Sequence, residues 1–338
     1  MILILSQKFQ DVTTDVVIDW LDHFQVPFRR LNGIDFYKDI HVEIVNGSLH
    51  YFVKGFDYSD DSVSVVWFRR WIAFNELEQM YLVHKSPDRE CIDPLKLNFN
   101  SFLGLEFQDL TEAFFRSFAQ EKIFTRTVYG DINKLKVLNK ALELGIDIPQ
   151  TYITTTLKKY QKFSEGKSLI VKPISNAPTV RSGKTKYLSY TVQIEGLDDV
   201  STESFAPSQF QDLIEKKYEI RSFLLNRKFY SMAIFSQEDE QTRTDFRQYN
   251  DVKPNRNVPY NLPEKLEEKL LKLADSFGLS TGSFDLIKTK NNDYVFLEVN
   301  PEGQFGMVSY PCNYYLEKKL AEELIKSQKR NVDKQTNS

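Results

Sequence analysis

The chain has 338 residues and a mass of 39.6 kDa, enough for two or three domains with their own cores. Its net charge of −3 and pI near 5.9 argue against the basic surface that a nucleic-acid partner requires. The two distant cysteines and four histidines show no disulfide or zinc spacing, and no apolar run reaches membrane length, so a cytoplasmic protein without membrane contact is predicted.

The first part of the chain predicts an α/β domain over residues 1–122. A short apolar strand at Met1–Leu5 precedes a helix at Thr14–Phe24, whose apolar residues recur at helical spacing. The pattern Gly-x-Gly-x-x-Gly is absent, so this βα unit is not predicted to bind a dinucleotide. The other predicted elements are a hairpin, a strand and a helix: Val42–Val53 around Asn46-Gly47, Val63–Trp71, and Gly104–Ala119.

Residues 123–205 predict a small central subdomain. It contains a helix at Asn133–Leu144 that stops at Gly145. The predicted strands are Thr151–Thr156, Ser168–Lys172 and Tyr187–Ile194. The segment Pro173–Lys186 has the composition of a loop and is predicted to be a mobile nucleotide flap, and Ser201–Ser208 is predicted to be a surface linker.

Residues 206–327 predict a C-terminal subdomain, and the polar residues 328–338 predict a frayed tail. A hairpin is expected about Asn226-Arg227, between two apolar runs. The predicted helices are Leu262–Phe277, with Gly278 after its end, and Asn313–Ile325.

An acidic hairpin is the most informative element of this subdomain. Two alternating runs, Ser283–Lys288 and Asp293–Asn300, flank a turn predicted at Asn291-Asn292. With these two loop residues, Lys290 lies opposite Asp293, Asp285 opposite Glu298 and Ser283 opposite Asn300. The other face of the hairpin is apolar and belongs to a core: Phe284, Leu286, Leu297 and Val299.

The two opposed carboxylates predict a cation between them, because like charges across a strand pair are destabilising. Asp285, Glu298 and the amide oxygen of Asn300 form an all-oxygen ligand set, which suits Mg²⁺. The alternative is a solvated acidic face of an antiparallel sheet. Pro301 and the turn-like Gly303-Gln304 favour the metal site, because they end the strand where a site can open.

Further polar elements precede this hairpin. Lys134 begins a helix, Lys172 ends a strand that looks buried, and Phe210–Arg221 reads FQDLIEKKYEIR. A buried ammonium needs a partner, so Lys172 is the stronger of the two lysine candidates. Each element alone is weak evidence for a functional site, because a lysine that simply faces solvent is the ordinary alternative.

In this order, with the final Asp285…Glu298-x-Asn300-Pro301, the elements resemble the ATP-grasp ligases over about Asn133–Ile325. The resemblance implies an α/β (α+β) ATP-grasp fold with a Rossmann-like N-terminal domain and antiparallel sheets around a nucleotide cleft. It further implies two cofactors, ATP and Mg²⁺. The metal ligands would be Asp285, Glu298 and Asn300, and the ATP-binding residues would be Lys134, Lys172, the adenine hinge Gln211, Asp212, Leu213 and Ile214, and Glu219.

Four segments look more closely like the grasp-with-spasm and microviridin-type peptide maturases, which make graspetides. They are Asn300–Gln304, the TDFR segment Thr244–Arg247, the VVWFRR strand and the ending YPCNYYLEKKLAEEL. This likeness implies a ligase that activates Asp or Glu side chains of a ribosomal precursor peptide and joins them to Ser or Thr hydroxyls or Lys amines.

The same likeness places Arg221 and Arg247 at the transferring phosphoryl group or the substrate acid. It also implies a leader segment on the precursor, for which Lys186–Ile194 is a candidate docking region, and a possible homodimer.

Two other functions stay open from the sequence. One is an ATP-grasp ligase that adds amino acids to a small molecule or a protein terminus, as glutathione synthetase does. The other is a nucleotide-binding regulator that has lost catalysis, which the complete set Asp285, Glu298 and Asn300 argues against.

Overall fold

A computed structural model describes residues 1–8, 11–59, 63–71, 94–119, 122–125, 132–175, 179–182, 185–188, 191–194, 196, 203–239, 241–242, 246, 248, 250 and 252–336. In chain order the elements are β1 (Ile2–Ser6), α1 (Val12–His23), β2 (Phe28–Asn32), α2 (Gly33–Asp39), β3 (Ile40–Val45), β4 (Ser48–Val53), β5 (Phe56–Asp57), β6 (Val65–Phe68), α3 (Pro94–Arg116), β7 (Ile123–Phe124), α4 (Lys134–Glu143), β8 (Thr151–Thr156), α5 (Leu157–Ser164), β9 (Leu169–Lys172), β10 (Thr179–Ser182), β11 (Thr185–Leu188), β12 (Val192–Ile194), β13 (Ser204–Asp212), β14 (Lys216–Leu225), β15 (Lys228–Phe235), β16 (Arg256–Tyr260), α6 (Glu264–Ser276), β17 (Thr281–Thr289), β18 (Tyr294–Asn300), α7 (Gly306–Cys312) and α8 (Leu316–Thr336).

The chain forms two units. The first unit comprises residues 1–130, 278–281 and 315–338, and the second comprises residues 131–277 and 282–314. Among the described residues, no helix is long and apolar enough to cross a membrane.

A parallel sheet in the order β2-β1-β6-β7 forms the centre of the first unit. Strand β1 is buried along its whole length, as its apolar sequence predicts for a central parallel strand. The Rossmann-like arrangement of this unit stays a prediction.

A smaller antiparallel sheet, β3-β4-β5, belongs to the same unit. Its first hairpin turns at Asn46-Gly47, as predicted, with φ values of 52° and 82°. These left-handed values match the right-handed twist of the flanking strands. The buried core joins both sheets to α3 through rings such as Phe36, Tyr51 and Phe114.

The C-terminal segment differs from the predicted frayed tail. Helix α8 continues to Thr336, well beyond the predicted end at Ile325. Asn331 on this helix is buried, and its Nδ2 donates to the backbone oxygen of Ser64 at 2.8 Å. The polar composition of residues 328–338 suggested fraying, but a buried side-chain amide with a backbone partner anchors this part of the helix.

An antiparallel sheet in the order β12-β9-β13-β8 opens the second unit. One of its faces packs on α5 through Tyr160, Phe163 and Phe210. Strand β13 belongs to this sheet, so the predicted subdomain boundary at residue 205 falls inside β13, and the predicted linker is strand from Ser204 onward.

The segment predicted as a nucleotide flap contains a β-hairpin, because β10 pairs with β11. Residues 176–178 and 183–184 of this segment lie outside the described residues. The predicted strand Tyr187–Ile194 is divided between β11 and β12.

A second sheet, in the order β16-β15-β14-β17-β18, follows in the same unit. Its β14–β15 hairpin turns at Asn226-Arg227, as predicted, with φ values of 44° and 70°. The final helix, predicted from Asn313, begins at Leu316 as α8, and a short helix that was not predicted, α7, ends before it at Cys312. Asn313 and Tyr315, between the two helices, have left-handed φ values.

Candidate active site

The acidic hairpin is formed by β17 and β18. Asp285 pairs with Glu298 and Ser283 pairs with Asn300, as the sequence predicts. Residues directly opposite in an antiparallel pair carry their side chains on the same face. Phe284 pairs with Val299 on the other face, and both are buried.

The predicted two-residue turn of this hairpin, at Asn291-Asn292, is wrong. Thr289 N donates to Asp293 O at 3.0 Å, so three residues form the loop and Lys290 does not face Asp293. Asn292 takes the left-handed φ of 68° that such a loop needs. A register shift between Asp285 and Leu286 compensates for the extra loop residue before the acidic pair is reached.

The same β-bulge changes which side chain enters the core. Phe296 pairs with Leu286 and is fully buried, whereas Leu297 is half-buried. Leu297 is therefore not the core residue that strict alternation predicts.

Cationic side chains of the same chain accompany both carboxylates. Arg221 Nη1, on β14, lies 3.1 Å from each oxygen of Asp285. The side chains of this pair are only 8% and 13% exposed, so solvent screens their attraction weakly. Lys134 Nζ lies 3.4 Å from Glu298 Oε2. Both carboxylates thus have a cationic side chain of the chain beside them, and the metal ion between them stays a prediction.

Lys134 reaches this position because α4 begins there. Asn133 caps the helix: its Oδ1 accepts hydrogen bonds from the N–H groups of Leu135 and Lys136. Helix α4 packs against β18, and its first residue therefore lies beside Glu298. A helix-start lysine that is ordinary in sequence becomes part of the site through this packing.

The third predicted metal ligand, Asn300, is used differently. Its Oδ1 accepts from Glu302 N at 3.1 Å and Gly303 N at 3.2 Å, which occupies both lone pairs of the amide oxygen. Among the described residues there is no group of three or more His, Cys, Asp or Glu that could hold a metal. The opposed carboxylates of Asp285 and Glu298 fit Mg²⁺, which commonly takes one or two carboxylates, and Asn300 would have to turn to join them.

Gly303 closes the turn after β18 against β17. Its φ is +40°, and a Cβ placed there would lie 2.9 Å from Ser283 N and 3.0 Å from Phe223 Cε2. The close approach holds the end of β18 beside Ser283, which is paired with Asn300.

We expect Gly303→Ala to destabilise the protein by about 2–4 kcal/mol, from left-handed strain plus a clash with backbone. Gly166→Ala is the matched control, since Gly166 has φ +68° and open space around it, so only the strain of about 1–2 kcal/mol remains. Urea unfolding of both variants measures the difference. Equal losses would show that the close approach at Gly303 is unimportant.

The predicted hinge lies at the end of β13 and in the link to β14. Asp212 N donates to Gln150 O at 3.1 Å, and Leu213 N donates to Ser168 O at 2.9 Å. These two N–H groups are committed within the fold, so backbone recognition of adenine would fall to other hinge atoms. Gln211 is buried, and its Nε2 donates to Thr151 Oγ1 at 2.8 Å. Ile214 follows in the link.

Lys172 ends β9, as predicted, and pairs with Gln209 of β13. In this strand only Leu169 is fully buried, and the three following residues are half-buried. The strand is therefore less enclosed than its apolar sequence suggests.

Glu219 is buried on β14, two residues before Arg221, so both side chains lie on one face of the strand. Its carboxylate accepts from Lys216 Nζ and from Ser236 Oγ. Lys216 is itself buried and was missed by the sequence analysis. Nothing in the run Lys216-Lys217 distinguishes the buried lysine from its exposed neighbour.

Arg247, the second predicted catalytic arginine, and the remainder of the TDFR segment apart from Phe246 lie outside the described residues, as does Cys91. Cys312 is buried, which raises the pKa of its thiol to about 11. A thiol so protonated is a poor nucleophile.

The candidate leader-docking region, Lys186–Ile194, includes residues 189 and 190, which lie outside the described residues. Val192 in β12 is 53% exposed. The docking role stays a prediction.

No protein-family model matches the chain, and no curated protein matches it by sequence. Solved structures do match. A RiPP-associated ATP-grasp ligase of Chryseobacterium gregarium, in complex with ADP and a leader and core peptide, has a TM-score of 0.74 at 22% identity, over 96% of both chains. Macrocyclase MdnC of Microcystis aeruginosa MRC, bound with precursor peptide MdnA, has a TM-score of 0.74 at 22% identity, over 96% of this chain and 99% of that chain.

ATP-grasp ligase PsnB, complexed with minimal precursor, Mg and ADP, has a TM-score of 0.73 at 15% identity, over 97% of each chain. The likeness thus spans both units and is not restricted to the acidic hairpin. The motif order had predicted this architecture. The chain has the fold of the ATP-grasp ligases.

Proposed function

We propose that the protein is an ATP- and Mg²⁺-dependent ligase that closes macrocycles in a ribosomally made precursor peptide. It would activate Asp or Glu side chains of the peptide and join them to Ser or Thr hydroxyls, as esters, or to Lys amines, as amides. The observation that carries the proposal is the opposed pair Asp285 and Glu298, flanked by Arg221 and Lys134, on this fold.

The solved relatives support the substrate class. Three of the similar structures are described as complexes with a leader and core peptide, a precursor peptide and a minimal precursor. Two of them contain ADP, and one contains Mg. A shared fold does not fix a substrate, so the assignment also needs the charged cluster described above.

The reaction would proceed in two steps. Transfer of the γ-phosphoryl group from ATP to a peptide carboxylate gives an acyl phosphate and ADP. A hydroxyl or amine of the same peptide then attacks the acyl carbon; phosphate leaves with the bonding electron pair, and the proton of the nucleophile passes to solvent. Each closed ring costs the peptide one water.

The residues of this chain would position and neutralise the reacting groups, which is most of what phosphoryl transfer requires. Asp285 and Glu298 would hold Mg²⁺, with Asn300 joining after rotation. When bound, Mg²⁺ supplies charge neutralisation at the phosphate oxygens.

Lys134, already beside Glu298, would bring its ammonium to the phosphates, and Lys172 would contact the nucleotide from the other sheet. Arg221, held by Asp285, would orient the transferring group or the substrate acid, and Arg247 would assist it. Glu219 would act on the nucleotide through Lys216, which it holds in place. The hinge Gln211–Ile214 would border the adenine.

We further propose a cytoplasmic location, where ATP and a newly made precursor meet, and a leader segment docked near Lys186–Ile194. The homodimer stays a prediction that light scattering in solution would test.

The first experiment incubates the protein with ATP, Mg²⁺ and an acidic, Thr- and Ser-rich peptide encoded next to its gene. We expect ADP release together with loss of one water mass per ring, measured by mass spectrometry. Reactions without ATP are the control. ADP release with amino acids but never with the peptide would favour the small-molecule ligase, and nucleotide binding without any ADP would favour the regulator.

A further inference from the structure

Gln209, on the central strand β13, has a buried side chain that the sequence analysis did not single out. It is only 1% exposed, and its Oε1 has no hydrogen-bond partner among the described residues. Leaving such an acceptor buried and unpaired is costly, and few native groups are left so. A site that keeps an unpaired buried acceptor is one where a ligand group can complete the hydrogen bond.

The register of the sheet shows which way Gln209 faces. Gln209 is the direct partner of Lys172 on β9, and Phe210 is the partner of Val171. Phe210 packs on α5, so Gln209 and Lys172 share the opposite face, away from this helix. Gln209 thus lies beside the lysine proposed to contact the nucleotide.

Gln211 lies two residues farther along the strand, on the same face. Its Oε1 is also buried without a partner among the described residues. Its Nε2, however, is committed to Thr151 Oγ1. The two glutamines form a polar row in the middle of a sheet whose edge residues on this face, Ile153 and Gln193, are exposed.

The chemistry of an amide side chain selects among nucleotide bases. A glutamine amide can accept from the N6 amine of adenine while donating to N7, and this pairing is specific for adenine. Guanine offers two acceptors, O6 and N7, on the same edge and would leave the Gln209 oxygen unpaired. A buried amide next to the lysine proposed to contact the nucleotide therefore suits adenine.

We propose that Gln209 reads the N6/N7 edge of the adenine and thereby makes the site selective for ATP. The inference rests on the proposed function, because it needs ATP at the face that carries Lys172. It adds a side-chain contact to the backbone hinge that follows β13.

The test compares ATP with 7-deaza-ATP, in which a C–H replaces N7. Isothermal titration calorimetry of the full chain with Mg²⁺ should show that the wild-type protein binds 7-deaza-ATP about tenfold more weakly than ATP, the discrimination of a good base contact. Gln209→Met is nearly isosteric and has no hydrogen-bonding amide. This variant should bind ATP and 7-deaza-ATP equally, with about the affinity that the wild-type protein has for 7-deaza-ATP.

Two controls separate this contact from a general effect. Gln193→Met, on exposed β12 of the same sheet, should keep the wild-type affinities and their ratio. In nucleotide-free buffer the urea midpoint of Gln209→Met should equal or exceed that of the wild type, because an unpaired buried amide is removed. If that variant does not fold, Gln209→Leu takes its place.

An unchanged ratio of the two affinities in the Gln209 variant would overturn the inference while leaving the proposed function intact. So would a wild-type protein that binds ATP and 7-deaza-ATP equally. A wild-type protein that binds no ATP at all would overturn the proposed function, and this inference with it.

Discussion

Glu298→Gln should lower ADP release and ring closure on the order of 10³-fold, since a catalytic metal contributes several kcal/mol of transition-state stabilisation. The substitution keeps the size of the side chain and removes one of the two carboxylates proposed to hold Mg²⁺. It also removes the ionic partner of Lys134. Steady-state ADP release and the mass of the peptide product measure the effect.

Asp293→Asn is the matched control for this prediction. Asp293 is exposed and lies at the loop of the same hairpin, just before β18 begins. The substitution removes one carboxylate charge, as Glu298→Gln does, but five residues away from Glu298. It should keep nearly full activity. Binding of Mn²⁺ in the presence of a non-hydrolysable nucleotide, measured by electron paramagnetic resonance, should weaken only in Glu298→Gln. Ring closure that survives this substitution would refute the metal assignment.

Arg221→Met should lower the free energy of unfolding by about 3–5 kcal/mol in metal-free buffer, because it removes the cation that contacts both oxygens of the nearly buried Asp285 carboxylate. The Arg221–Asp285 pair is 8% and 13% exposed. Addition of Mg²⁺ should restore part of the loss, since a cation between Asp285 and Glu298 replaces the missing charge. Urea unfolding with and without Mg²⁺ measures both effects.

Another arginine–aspartate pair of the second unit provides the control. Arg227 and Asp275 are 64% and 52% exposed, so Arg227→Met should cost about 0–1 kcal/mol. The double variant Arg221→Met/Asp285→Asn should regain stability relative to Arg221→Met and should still lack ligase activity. A loss in Arg221→Met no larger than that in Arg227→Met would show that the buried pair does not stabilise the fold.

The acidic hairpin illustrates how far local sequence rules reach. Alternation of apolar and polar residues placed Asp285 opposite Glu298 correctly. The predicted two-residue turn was wrong, and the agreement at the acidic pair depended on a bulge near Leu297 that compensates for the longer loop. A two-residue turn and a three-residue loop both satisfy the turn propensities of Asn291 and Asn292. The longer loop is the one that places Phe296 in the core.

The charged partners show a similar limit. Lys134, Arg221 and Glu219 were candidates from motif order, but their contacts follow from elements far apart in the chain. The Glu219 carboxylate accepts hydrogen bonds from Lys216 and Ser236, and no motif indicated either of these partners. Gln209 was missed because an isolated glutamine in a strand has no distinctive pattern, and its significance comes from burial.

The amino-acid sequence by itself determined the ATP-grasp architecture and the hairpin turns at Asn46-Gly47 and Asn226-Arg227, because these follow from the order of the motifs and from local backbone preferences. The tertiary structure decided which charges meet: Arg221 with Asp285, and Lys134 with Glu298. It also anchored the C-terminal helix through Asn331 and left the Gln209 oxygen unpaired. Burial and long-range pairing depend on the whole chain being folded, and no local pattern records them.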